Sequence, residues 1–204
     1  MTMVTKMRNN RAVPRAVLRA RIGRAALSLF KEAGFDSVSV DQIVERAGVS
    51  KGAFFNFFPT KADALLVYFR ELDGRLDKLR GKLDPGRPLL ALEKFFEQAE
   101  RLLRAEGPLL ETLSRAIWSH PMLMKADRIS AKEDRAAFAD FFEKARRAGT
   151  IGAADPALVA DTVGDLWTSS ILMWLSGGRS YSFSEALNAK VRLLFSGLRP
   201  RSKS

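Results

Sequence analysis

Residues 38–61 constrain the fold of this chain more than any other stretch: Val-Ser-Val-Asp-Gln-Ile-Val-Glu-Arg-Ala-Gly-Val-Ser-Lys-Gly-Ala-Phe-Phe-Asn-Phe-Phe-Pro-Thr-Lys. Ser39 and Ser50 are residues whose hydroxyls accept the free N–H groups at a helix start. Between them Val40, Ile43, Val44 and Ala47 recur at spacings of three and four, so one helical face is apolar. Gly48 follows, where a residue that tolerates positive φ ends a helix. Two short helices joined by a tight turn containing glycine match the helix-turn-helix unit, whose second helix enters the DNA major groove.

Charge supports that reading. The 204 residues carry a formal net charge of +11. Residues 1–62 hold eleven basic and four acidic side chains, a net +7 in under a third of the chain. A polyanion binder concentrates charge in this way, whereas a charge serving solubility alone has no reason to. Residues 1–13 contain Lys6, Arg8 and Arg11 and no acidic residue. They read as a basic arm for phosphates or a minor groove, or equally as a leader without function.

The rest of the chain predicts helices only. The first spans about 14–33, with Pro14 in its opening turn and Ile22, Ala26, Leu29, Phe30 and Ala33 inward. Phe54, Phe57 and Phe58 are expected to pack inward after Ser50, and Pro59 breaks the helix. A long fourth helix over about 61–83 leaves the head. Others follow over about 89–105, 107–118, 125–148, 156–176 and 184–198. The expected fold is all-α, with about nine helices. A helix-turn-helix domain over 14–62 follows the arm of 1–13, and a helical domain over 63–204 completes the chain. The helix at 156–176 is apolar on more than one face, so it needs cover on two sides. With 184–198 it predicts a two-fold homodimer closed by a four-helix bundle.

Several chemistries have little to work with. There is no cysteine, and His120 is the only histidine, read as a helix-end residue before Pro121. Asp161 and Asp165 lie four apart and are read as partners for Arg or Lys, not as metal ligands. No metal or cofactor is expected, and no catalytic residue. The most apolar stretch, 166–175, is too short to span a bilayer. A cytoplasmic protein without membrane contact is the expectation.

Residues 22–66 carry a specific series of motifs: Ala25-Ala26-Leu27-Ser28-Leu29-Phe30, Ala33-Gly34-Phe35-Asp36 and Ser39-Val40-Asp41-Gln42-Ile43-Val44. The series continues with Ala47-Gly48-Val49-Ser50-Lys51-Gly52 and Phe54-Phe55-Asn56-Phe57-Phe58-Pro59, and ends in Lys61. In order and spacing it resembles the N-terminal domain of TetR-family transcriptional regulators. The resemblance implies a homodimer on palindromic double-stranded DNA, usually a repressor, released when a small effector binds the C-terminal domain. It implies a phosphate contact for Ser39, and positions in or beside the major groove for Ser50, Lys51, Gly52, Ala53 and Asn56. Lys61, at a helix start, would hold a phosphate. Phe55 stands where the family usually has tyrosine and Phe57 where it often has histidine, so both lack a donor. Phe55 can still meet a thymine methyl. An apolar effector pocket would draw on Trp118, Met122, Phe138, Phe142, Trp167 and Met173. The alternative from another class is an all-helical enzyme or lipid-binding protein whose basic head meets a membrane.

Overall fold

A computed structural model of the chain describes residues 14–197. The basic arm and residues 198–204 lie outside the described residues. Nine α-helices and one 3-10 turn account for the regular structure there, and none of the described residues is in a strand. The chain divides into two compact units after Val67.

The first unit holds α1 (Arg15–Ala33), α2 (Val40–Ala47), α3 (Lys51–Phe55) and the 3-10 turn Ala62–Ala64. Its core is the apolar stripe of α1 (Ile22, Ala26, Leu29, Phe30) closed by Ile43 and Val44 of α2 and by Phe54 and Phe58. Gly23 faces Val67 so closely that a Cβ there would overlap a valine methyl. α4 (Leu65–Arg80) starts in this unit and carries the chain into the second. The sequence places the start of α4 at 61, but residues 62–64 form the tighter 3-10 turn. The N–H and hydroxyl of Thr60 both donate to Asp63 Oδ2, at 2.8 Å each.

The second unit is built from α5 (Pro88–Arg104), α6 (Pro108–Ser119), α7 (Pro121–Arg147), α8 (Pro156–Ser176) and α9 (Phe183–Gly197), with most of α4. α7 packs along α8, and α9 packs on both α5 and α8. The common core holds Leu92, Phe95, Phe96, Phe138, Phe142, Val163, Leu187 and Val191, all nearly or wholly buried. Burying each of the larger side chains contributes roughly 2 kcal/mol. α7 starts at Pro121, four residues before the expected 125. Proline is suited to the first helical position, so the same residue that ends one helix opens the next. Ile129, on the outer side of α7, is half exposed.

Buried polar groups tie distant segments of this unit together. Glu100 of α5 accepts hydrogen bonds from the Ser182 hydroxyl and the Ser184 N–H, both at 2.8 Å, and from Arg104. Burial works to raise its pKa, but these bonds hold it below the usual carboxylate range. Arg179 sits at φ +58°, directly after Gly178 at +65°. It is held there by bonds to the Gly107 carbonyl and, at 2.9 Å, to Glu111. The guanidinium groups of Arg104 and Arg179 both lie over the buried ring of Trp174, at 5.2 and 5.6 Å.

Candidate nucleic-acid interface and effector cleft

Caps shape the recognition unit. Ser39, in extended backbone, accepts from the Gln42 N–H at 3.2 Å, and Gln42 Oε1 accepts from the Ser39 N–H at 2.7 Å. This reciprocal box satisfies two N–H groups that the first turn leaves without partners. At the other end Gly48 adopts φ +62°, and the Val49 N–H returns to the Val44 carbonyl at 3.0 Å. Ser50 then caps α3 by accepting from the Ala53 N–H at 3.2 Å. Three residues between helices are thus enough to turn α3 out of α2.

The outward surface of α3 follows from what is buried. Phe54 and Phe58 are fully buried and fix the helix on the core. Ser50, Lys51, Gly52 and Asn56 are exposed, Ala53 is half-buried, and Phe55 is 49% exposed. A Cβ on Gly52 would meet nothing nearer than the Ser50 hydroxyl at 3.8 Å. The fold therefore does not require glycine there, although glycine in a helix costs about 1 kcal/mol relative to alanine. The Lys51 ammonium lies 2.7 Å from Asp41, in a pair exposed on both sides. Such a pair is weak and exchanges readily for another anion.

Two residues sit differently from the sequence expectation. The Lys61 ammonium, expected at a phosphate, donates to the carbonyls of Phe35 and Val38 at 2.8 Å each. It also lies over the Phe35 ring at 4.4 Å. It thereby clamps the α1–α2 loop. Phe57, expected inward with Phe54 and Phe58, is only partly covered, and the Arg15 guanidinium lies over its ring at 5.1 Å. Neither contact is readable from helical spacing, because each joins residues 23 or more apart in the chain.

The second unit contains an apolar cleft of about 320 Å³, in the range of small-molecule sites. Leu72, Leu76, Leu103, Leu113, Ile117 and Leu175 form much of its wall, with Trp118 and Trp167. A second cavity of about 170 Å³ shares Phe69, Asp73, Asp127 and Trp167 with it and adds Phe138, Arg80 and Asp134. Of the six expected pocket residues, Trp118, Trp167 and Phe138 therefore reach these cavities. Phe142 is fully buried in the core and Met173 is 63% exposed, so both stand elsewhere. Met122 lines neither cavity.

The polar end of the cleft is assembled by tertiary packing that helical spacing does not reveal. Asp73 accepts the Ser130 hydroxyl at 2.6 Å. Asp127 has its pKa raised by burial and by the nearby charge of Asp73. Asp134 is pushed up to about 6, burial outweighing its ion pair with Arg80. Asp161 and Asp165 both bind Arg135, at 3.2 and 2.9 Å, as their spacing suggested. His120 closes α6, its Nδ1 within 3.1 Å of the Ala116 carbonyl. No described helix is long and apolar enough to cross a membrane.

Comparison with known proteins supplies the context for this geometry. Residues 22–67 match the family model for bacterial regulatory proteins of the tetR family. The transcriptional regulator AcuR of Cereibacter sphaeroides is 30% identical over 158 residues, covering 73% of this chain and 72% of AcuR. The HTH-type transcriptional repressor KstR of Rhodococcus jostii is 29% identical over 161 residues, 78% of this chain and 73% of KstR. The crystal structure of Thermus thermophilus FadR, a TetR-family repressor in complex with lauroyl-CoA, superposes with a TM-score of 0.70 at 25% identity. That match covers 91% of this chain and 97% of FadR.

Proposed function

The chain belongs to the TetR family of transcriptional regulators, and from that premise we propose that it is a repressor binding a palindromic operator as a homodimer. A small effector in the C-terminal cleft releases it. The observation that carries this reading is the exposed face of α3. Lys51, Gly52, Phe55 and Asn56 project from a helix whose other side is fixed by two buried phenylalanines. Gly52 has room for a side chain that the fold does not object to, so its glycine suits the close approach of an outside surface. In the proposed complex Ser39 and Ser50 meet the backbone from the helix starts, and Ala53 and Asn56 lie in the groove. Phe55 packs on a thymine methyl. Lys61 contributes by fixing the loop that presents Ser39.

Homodimerisation is proposed through α8 and α9, whose outer faces expose Leu158, Leu172, Met173 and Leu193. The effector is proposed to be largely apolar, because the cleft wall is, with a hydrogen-bond donor directed at Asp73 and Asp127. Binding acts only through its different affinity for the DNA-competent and released states. The site of action is proposed to be the cytoplasm.

Selection of bound duplexes from a random pool tests the reading. The expected result is enrichment of an inverted repeat, bound with steep salt dependence. Failure to enrich any sequence over random DNA overturns it.

A further inference from the structure

The recognition side of the head is short of hydrogen-bond donors. Phe55 and Phe57 have none, and the Lys61 ammonium is engaged by backbone carbonyls. Lys51 shares its charge with Asp41. Arg15 is placed to fill the gap. It opens α1, it is exposed, and its guanidinium rests over the Phe57 ring. Among the described residues it has no carboxylate partner.

We infer that Arg15 and Phe57 together form a phosphate-binding unit, in which the ring holds the guanidinium against the DNA backbone beside α3. The inference rests on the proposed DNA-binding function. A guanidinium lying over an aromatic face keeps its in-plane N–H groups free, and those are the ones that grip a phosphate in bidentate fashion. The attraction between cation and ring also restrains a long side chain that is otherwise free to wander, so less order has to be imposed on binding. Phe57 is itself fixed: its N–H donates to the Phe54 carbonyl at 2.9 Å, at the end of the recognition helix. A histidine at this position would offer one donor of its own. Phenylalanine instead offers a platform for a donor that arrives from another helix. Arg19 repeats the arrangement less openly, its guanidinium over the buried Phe58 at 5.5 Å.

The test uses the full chain and two duplexes, one selected by the wild-type protein from a random pool and one shuffled. Each is titrated across salt from about 50 to 200 mM, where phosphate contacts weaken most measurably. Arg15→Gln is expected to weaken both duplexes by a similar factor, about tenfold or more. It should also flatten the log–log salt slope by about 2, one phosphate for each head of a dimer. Phe57→Leu, which keeps apolar bulk and removes the ring, should reproduce most of that loss, whereas Phe57→Tyr should not. The double variant should bind no more weakly than Arg15→Gln alone. Thermal melting of each variant confirms folding. An Arg15→Gln protein that melts normally and keeps wild-type affinity and slope overturns the inference and leaves DNA binding standing. Additive losses in the double variant overturn the role given to the ring. Absence of salt-dependent binding by the wild-type chain removes both the inference and the function beneath it.

Discussion

The two units of this chain differ in what their polar bonds secure. In the head they set helix ends, Ser39 with Gln42, Ser50 with Ala53 and Thr60 with Asp63, each three residues apart, and Lys61 and Arg46 reach back no further than the preceding loop and α1. In the C-terminal unit, beside many bonds within a single helix, several pins reach across 50 residues or more: Glu100 to Ser182 and Ser184, Arg179 to Gly107, Thr150 to the Pro85 carbonyl, Asp73 to Ser130. The difference teaches where each unit is vulnerable. A head of short helices depends on ends that are correctly started and stopped. A bundle of long helices depends on the pins between them.

The largest test of this contrast is Glu100→Ala. It leaves the buried Ser184 N–H and the half-buried Ser182 hydroxyl without this acceptor and Arg104 without its carboxylate, so a loss of about 2–4 kcal/mol is expected by urea denaturation. A loss below about 1 kcal/mol would show that apolar packing alone sets the bundle. Next is Gly23→Ala in the head. The added methyl meets Val67, and overpacking of this kind costs about 1–3 kcal/mol even against alanine's preference for helix. Val67→Ala in the same chain should restore much of the loss. Recovery would show that the head, for all its local caps, also depends on apolar packing between distant residues.

A pH experiment probes the cleft end of the bundle. Asp134, raised to about 6, keeps a proton in the folded chain that the unfolded chain releases near 3.8. The folded state thus binds more protons between those values, and stability from this group falls as pH rises from about 4 to about 6, then levels. Asp134→Asn should remove that component from a series of melting curves. An unchanged difference between variant and wild type across the range would contradict it. The smallest effect is Gly52→Ala. Its expected sign is split: stability rises by about 0.5–1 kcal/mol, while affinity for selected DNA falls. A rise in both would remove the argument that an outside surface needs the glycine.

Legibility followed the same division. Ser39, Gly48 and Ser50 announce themselves because a cap is a short-range pattern, readable within four residues. The helices of the bundle are also readable, from three- and four-residue spacing, with Pro156 at the expected start of α8, whereas Pro121 opens α7 ahead of where spacing places it. Which faces meet is not. Phe142 and Met173 look equally suited to a pocket in sequence, yet one is core and the other open to solvent. Asp73 and Asp127, from α4 and α7, come to one cleft only through tertiary packing. Lys61 makes contacts that are hidden for a similar reason. Its position at a helix start suggested an anion, but the nearest acceptors are carbonyls contributed by a loop more than twenty residues earlier.

That lysine has a mechanical consequence. One ammonium bonded to three carbonyls makes a crosslink without a covalent bond, joining the loop before α2 to the turn before α4. The tether is short and leaves little slack. A displacement at the start of α4 therefore pulls on the strap that ends in Ser39, so the entry of α2 moves with it. The head responds to a tug at that point as one lever instead of three loosely jointed rods.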